Sequence, residues 1–172
     1  MEAAALTWSG TRRAVLGIAA LVLAADQVSK SLVVAAAPGG AGGGPVSVRL
    51  VRNTGASFGI GAGHPVAITV VAAAVLAVAA VLLARARRRS VALFLAAVIG
   101  GAAGNLADRL LRSPGFGRGA VVDWIHFAGY PPTFNVADVA IRLGALGALA
   151  AALGAGSRAG RRRAKDKVLL RP

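Results

Sequence analysis

The sequence predicts a mainly α membrane protein built on four transmembrane helices, and three observations predict it. Hydrophobic residues make up 56% of the 172-residue chain and the mean hydropathy is +0.69, a composition suited to a bilayer rather than a soluble core. Four nearly uncharged stretches approach the ~20 apolar residues that a helix needs to cross a hydrocarbon core. Basic residues cluster in short flanks around those stretches, as they do where loops stay in the cytoplasm.

The first span runs from about Ala14 to Ala37 and is interrupted by "DQVSK" at 26–30. In a helix starting near Thr11, Asp26 lies on the order of 22 Å along the axis, in the outer part of a core about 30 Å thick. Lys30 follows one turn later on the same face, placed to neutralise it. The next loop opens on a flexible "GGAGGG" (39–44). Alternating Val46, Val48 and Leu50 in "PVSVRLV" then predict a half-buried strand, and "NTGASFG" (53–59) predicts a turn that presents Asn53. The second span, Val66 to Ala84, is uninterrupted. The third, Val91 to about Leu111, carries Asn105, Asp108 and Arg109 at its far end, with Gly100 and Gly104 spaced for close helix packing. The fourth, Val136 to about Ala155, opens beside Asn135 and Asp138, and a basic tail occupies about 157–172. The length fits a single membrane domain, 1–172.

Charge orients these spans. Arg12 and Arg13, "RARRR" (85–89), "SRAGRRRAKDK" (157–167) and Arg171 hold 13 of the 20 basic residues. All of them lie on one side if the four spans alternate, so both termini are expected in the cytoplasm. The opposite loops, 38–65 and 112–134, carry Arg49, Arg52, Arg112 and Arg118. A cleaved signal peptide is the rival reading of the N-terminus, from "RR", an apolar run and "AAAP". Asp26 and Lys30 interrupt that run, and removing it would put the basic flanks on opposite sides. The flanks also account for the net charge of +14. Without an RNA-binding or helix-turn-helix pattern, no nucleic-acid partner is expected. The chain has no cysteine, and His64 and His126 stand far apart, so no metal or other cofactor is expected.

The polar residues fall in one place. Of the six acidic residues, Asp26, Asp108, Asp123 and Asp138 all map to the outer face, together with Asn53, Asn105 and Asn135. Charged groups at membrane depth are costly and face a protein interior or a watery cavity. Structural roles exist for several: Asn135 as an N-cap with Asp138 favoured by the helix dipole, Asp26 paired with Lys30, Asp108 paired with Arg109 or Arg112. Capping alone is met by Asn135, so Asp138 points to a site. "NLAD" (105–108) and "NVAD" (135–138) repeat the same word at the end of an ascending helix and the start of a descending one. Asn and Asp three apart share a helical face, so the two pairs can meet.

Taken in order, "DQVSK", "VRNTGASFG" (51–59), "GGAAGNLADRL" (100–110), "VVDWIHF" (121–127) and "FNVADVAI" (134–141) resemble the motifs of lipoprotein signal peptidase, or signal peptidase II. The resemblance covers about residues 14–155. It implies a four-helix aspartyl endopeptidase of the bacterial cytoplasmic membrane, with an extracytoplasmic β-cradle between the first two helices. Such an enzyme removes signal peptides from prolipoproteins by cleaving before the lipid-modified, diacylglyceryl-bearing cysteine. The resemblance assigns the catalytic pair to Asp123 and Asp138, and supporting roles to Asp26, Lys30, Asn53, Asn105, Asp108, Arg109 and Asn135. The implied partners are prolipoprotein substrates and membrane lipid, and the chain is expected to act as a monomer with its site facing outward. Ser29 stands where the family more often has Thr, His126 where it often has an acid, and the Asp123–Asp138 interval is short.

Residue chemistry indicates how the reaction that the resemblance implies would run. In the absence of Ser-His or Cys-His machinery or a metal-ligand motif, peptide hydrolysis falls to paired carboxylates. Two carboxylates in one site do not readily both ionise, so one keeps a proton. The ionised member takes a proton from the attacking water, and the protonated member polarises the carbonyl and helps protonate the leaving amine. A helix N-terminus favours the ionised form of Asp138; Arg109 reads as structural. A small proton- or ion-coupled transporter is the main alternative, but it needs polar groups in the cytoplasmic half, and the second span offers none. A non-catalytic assembly factor would not need Asp123 and Asp138 together. The orientation is open to a direct check. Cysteines placed at Gly42 and Gly117 should react with an impermeant label from outside, and a cysteine at Arg87 should not; the reverse pattern overturns the topology.

Overall fold

The computed structural model describes residues 2–56 and 60–169, with side-chain surroundings for 10–56 and 60–154. The elements run α1 (Glu2–Ala36), β1 (Val46–Asn53), α2 (Pro65–Arg85), α3 (Arg89–Leu111), β2 (Val121–Phe127), β3 (Tyr130–Phe134) and α4 (Val136–Leu169). Four helical segments are long and apolar enough to span a bilayer: Gly10–Ala36, Pro65–Arg85, Arg89–Leu111 and Val136–Gly154. They are the predicted spans with shifted ends. The largest differences are at the termini, where α1 starts at Glu2 and α4 runs on to Leu169. Alanine, arginine and lysine are good helix formers, so the basic stretch from 157, expected as a tail, continues the last helix.

Small residues make α3 the central helix, packed against α1, α2 and α4. A Cβ on Gly100 would meet the Ala19 carbonyl oxygen of α1 at 2.5 Å, and one on Gly101 would meet the Ala137 carbonyl oxygen of α4 at 2.6 Å. Gly104 leaves room for the Asp26 carboxylate, which a Cβ there would meet at 2.5 Å. Backbones come this close only where side chains are missing. The bundle turns Leu16, Leu21, Leu32, Val70, Val78, Leu82, Leu146 and Leu153 outward, all about half or more exposed. In a hydrocarbon solvent that belt needs no cover.

The α1–α2 and α3–α4 loops together form one antiparallel sheet in the order β1-β2-β3. The sequence placed the sheet between the first two helices, and β1 is there. Its two partners come from the loop between α3 and α4. Val51 pairs with Asp123 and Asn53 with Val121, with a register irregularity between Val48 and Val51. Val48 and Leu50 are half-buried, as predicted, whereas Val46, at the start of the strand opposite Phe127, is 56% exposed. The glycine-rich stretch, expected to be flexible, turns back so that Ala41 and Val48 exchange backbone hydrogen bonds of 3.0 and 2.8 Å. Gly40 enters that turn with φ +83°, and a Cβ there would meet the Val48 carbonyl oxygen at 2.8 Å, so glycine is required. The expected turn after Asn53 begins as drawn, and its residues 57–59 lie outside the described residues. Buried Thr69 ties α2 to the second loop by donating to the Gly117 carbonyl at 2.8 Å.

Helix packing of this kind is testable by adding one methyl group. Gly101→Ala should cost about 1–3 kcal/mol through overpacking, because the neighbour is backbone and cannot yield. Gly17, with nothing within 4 Å of its Cβ position, should accept alanine without loss. Thermal unfolding of the two variants in micelles separates them, and equal stability would refute the close approach of α3 and α4.

Candidate active site

The site begins with a buried ion cluster. Asp26 and Lys30 lie one turn apart on α1, and both are 0% exposed, as is Asp108 of α3. The Lys30 ammonium donates to Asp26 Oδ2 at 2.7 Å, Asp108 Oδ2 at 2.9 Å and Asn105 Oδ1 at 2.9 Å. Its three protons thus have three acceptors, which is what an ammonium group buried away from water requires. Each carboxylate is then used twice over. Asp26 Oδ1 accepts the Ala137 backbone N–H at 3.0 Å, an otherwise orphaned donor in the first turn of α4. Asp108 Oδ2 also accepts the Val122 N–H of β2 at 3.1 Å. Asp108 Oδ1 takes Arg112 Nε at 2.6 Å and Gln27 Nε2 at 3.1 Å.

Sequence reasoning left Asp108 to Arg109 or Arg112, and the structure gives it to Arg112. Arg109 serves another purpose. Only 7% exposed, it donates to the Gly55 carbonyl at 2.8 Å and the Asn105 carbonyl at 3.1 Å. It therefore holds the β1–α2 loop down on α3. In that loop Asn53 Oδ1 accepts the Gly55 N–H at 2.9 Å, a local turn that aims its amide at β2.

Two aspartates face the cavity that this frame encloses, Asp123 on β2 and Asp138 on α4. Asn53 Nδ2 donates to Asp123 Oδ2 at 3.0 Å, and Asn135 Nδ2 donates to Asp123 Oδ1 at 2.6 Å. Asn105 Nδ2 donates to Asp138 Oδ1 at 2.9 Å, and Asn135 Nδ2 also reaches Asn105 Oδ1 at 3.1 Å. The two "N-x-A-D" words thus meet as the sequence suggested, and their asparagines link one aspartate to the other. Asn135 is the N-cap as well: its Oδ1 accepts the Asp138 N–H at 2.9 Å. Every residue singled out from the sequence is in this assembly.

Asp123 is 3% exposed. Burial first, and then the negative charge of Asp138, push its carboxyl from the ordinary 3.8 up to about 6, against the opposing pull of the Asn53 and Asn135 amides and Lys30. The cavity measures about 250 Å³. Its membrane-side wall is apolar, from Ile68, Val71 and Val75 of α2 and Ile141 of α4.

Gln27 and Arg142 were not singled out from the sequence. Gln27 lies inside "DQVSK" and bridges Asp26, Asp108 and the Gly104 carbonyl at 3.2, 3.1 and 3.0 Å. Arg142 follows Asp138 by one turn, lines the cavity and lies 5.8 Å from the Phe134 ring centroid. A lone cation in the fourth span was the available signal. His126, expected to depart from the family, lies on β2 opposite Ser47.

The family model for Signal peptidase (SPase) II matches residues 18–153. Among curated relatives, a lipoprotein signal peptidase of Rhodococcus jostii is 44% identical over 134 residues, covering 75% of this chain and 67% of that one. One from Streptomyces coelicolor is 46% identical over 99 residues, covering 56% of this chain and 47% of its own. One from Mycobacterium avium is 41% identical over 142 residues, covering 78% and 75%. The matched part thus spans between about half and three quarters of these relatives. Two solved structures, each described as a bacterial membrane enzyme obtained by the in meso method, share the fold. The one at 2.3 Å resolution has a TM-score of 0.71 and 25% identity, covering 84% of this chain and 90% of that one. The one at 1.9 Å has a TM-score of 0.67 and 26% identity, covering 81% and 92%.

The ion cluster predicts how its members respond to substitution. Lys30→Met leaves two carboxylates buried without their cation, a loss of about 3–5 kcal/mol. Asp108→Asn should likewise lower thermal stability or accumulation at least as much as turnover per folded molecule, and so should Asp26→Asn. Intact stability with lost turnover in Asp108→Asn would move the chemistry to "NLAD".

Proposed function

The chain belongs to the signal peptidase II family, membrane proteases that remove signal peptides, and from that premise we propose that it is an aspartyl endopeptidase with Asp123 and Asp138 as its catalytic pair. Its substrates on this reading are bacterial prolipoproteins, cut before the diacylglyceryl-cysteine. The site faces the extracytoplasmic side of the membrane and both termini the cytoplasm. The observation that carries the reading is the pairing itself: two carboxylates line one cavity, and one of them is held near a pKa of about 6 by burial and by the other's charge. A transporter is not supported. Among the described residues, the buried polar side chains lie in the α1–α2 and α3–α4 loops or in the halves of the spans nearest those loops, with none in the opposite halves.

The division of labour follows from the surroundings. Asp138, in the first turn of α4, acts as the base on this reading. It takes a proton from water, whose oxygen attacks the scissile carbonyl carbon. Asp123, the raised member, gives its proton to the carbonyl oxygen as the tetrahedral diol forms. When the C–N bond breaks, Asp138 passes the water-derived proton to the leaving nitrogen. Asp123 recovers a proton from a diol hydroxyl, and the pair returns to its starting state. Neither step needs the asparagine amides to move. They hold the carboxylates in place before the substrate arrives, so little reorganisation accompanies the reaction.

Asp123→Asn and Asp138→Asn should each lower lipopeptide cleavage by about 10²–10⁴-fold, measured per folded molecule in micelles. The double variant should lose little more than the worse single one, because the pair acts as a unit. In the unsubstituted enzyme, kcat/KM should fall about tenfold per pH unit above about pH 6, as Asp123 loses the proton it must donate. Near-normal turnover by either single variant sinks the aspartyl assignment; a flat profile up to pH 8 takes the acid's role from Asp123.

A further inference from the structure

A second cavity of about 460 Å³ adjoins the dyad cavity at Asp123. Asn53, Asp123, Pro132 and Thr133 line both, so the reacting carboxylate stands at the junction of two chambers. The first is walled toward the membrane by apolar residues of α2 and α4. The second is built from the sheet, and its charged lining beyond Asp123 is Arg49 and Arg52.

A peptide held with its scissile bond at this junction must leave in two directions. An apolar signal segment matches the first chamber, so the chain downstream of the bond matches the second. We propose that the second cavity is the groove for the mature side of the substrate, and that Arg49 and Arg52 select acidic side chains in the first few residues there. The inference rests on the peptidase reading above.

Two features make this a built groove rather than stray surface charge. In a regular strand, residues 49 and 52 would point to opposite faces. The register irregularity between Val48 and Val51 brings both guanidinium-bearing residues to the same cavity, as strand bulges do when they re-aim a side chain. Neither arginine has a carboxylate partner among the described residues. Asp26 and Asp108 are committed to Lys30, and Asp123 lies at the junction. The groove is therefore positive and open to an anion. Solvated pairs of this kind are worth about 1.5- to 5-fold each.

The test uses lipidated synthetic peptides that differ only at the second and third residues after the cleaved bond: Asp-Glu, Asn-Gln or Lys-Lys. With full-length enzyme in neutral-detergent micelles, KM should rise in that order, by about fivefold between acidic and neutral, and the difference should shrink as salt is raised. In R49Q/R52Q the acidic and neutral peptides should have equal KM. Equal KM in the unsubstituted enzyme, or a preference that survives R49Q/R52Q, overturns the proposal. A gain from anionic lipid that is equal for all three peptides and lost in R49Q/R52Q also overturns it, by giving the arginines to lipid headgroups. Equilibrium binding of the same peptides to Asp138→Asn repeats the comparison without turnover. Selective binding there supports the groove even if the unsubstituted enzyme cleaves none of the peptides, an outcome that would refute the peptidase reading alone.

Discussion

The fold depends on one cation that has no water. Lys30 is fully buried with its three protons directed at Asp26, Asp108 and Asn105, so α1 and α3 are locked in register at the depth of the site. The carboxylates that neutralise it carry the order outward, Asp26 to the first turn of α4 and Asp108 to the backbone beside Asp123. A cluster of this kind contributes little net stability, because desolvation offsets the attraction. Its effect is on specificity: a bundle of alanine- and leucine-rich helices has many near-equivalent packings, and few of them satisfy every buried charge at once.

The proposed catalytic pair and its supports divide along the same line. The charges in the supporting cluster are matched, whereas the dyad is served mainly by neutral amide donors from Asn53, Asn105 and Asn135. A neutral donor orients a carboxylate without abolishing its basicity, whereas an adjacent arginine would fix it as an anion. Arg109, the buried arginine closest in sequence to the dyad's supports, directs its guanidinium to backbone carbonyls instead. Asp123 is thus free to titrate, and its raised pKa follows from burial beside a second carboxylate with no full cation in direct contact.

Much of this was legible because charge is rare in a bilayer. In a soluble protein Asp26 or Asp138 would be one acid among many; here few acids exist and the spans fix their depth, so their convergence is visible in the sequence itself. The sheet was less legible. "YPPTF" argues against a strand on propensity, and it pairs only because β3 is an edge strand where missing N–H groups are tolerated. The β1–β2 pairing is non-local, joining two loops some 70 residues apart, and no loop pattern announces it. The choice between Arg109 and Arg112 was decidable from helix geometry alone, since i,i+4 residues share a face and i,i+1 residues do not. Gln27 was missed because an uncharged residue beside two charged ones draws no attention, although a buried network needs such donors to satisfy its remaining lone pairs.

The placement of Asp26 and Lys30 on a single helix has a consequence for how the molecule is made. Helices emerge one at a time during synthesis, and the first must enter lipid before Asp108 and Asn105 exist as polypeptide. A lone ammonium group at that depth would resist insertion. With its counter-ion one turn away on the same helix, the part of α1 beyond Arg13 can enter the bilayer without net charge. The ammonium group then waits there with free donor capacity until α3 arrives with two more acceptors. The ion pair therefore serves first as a passenger's ballast and only later as a keystone.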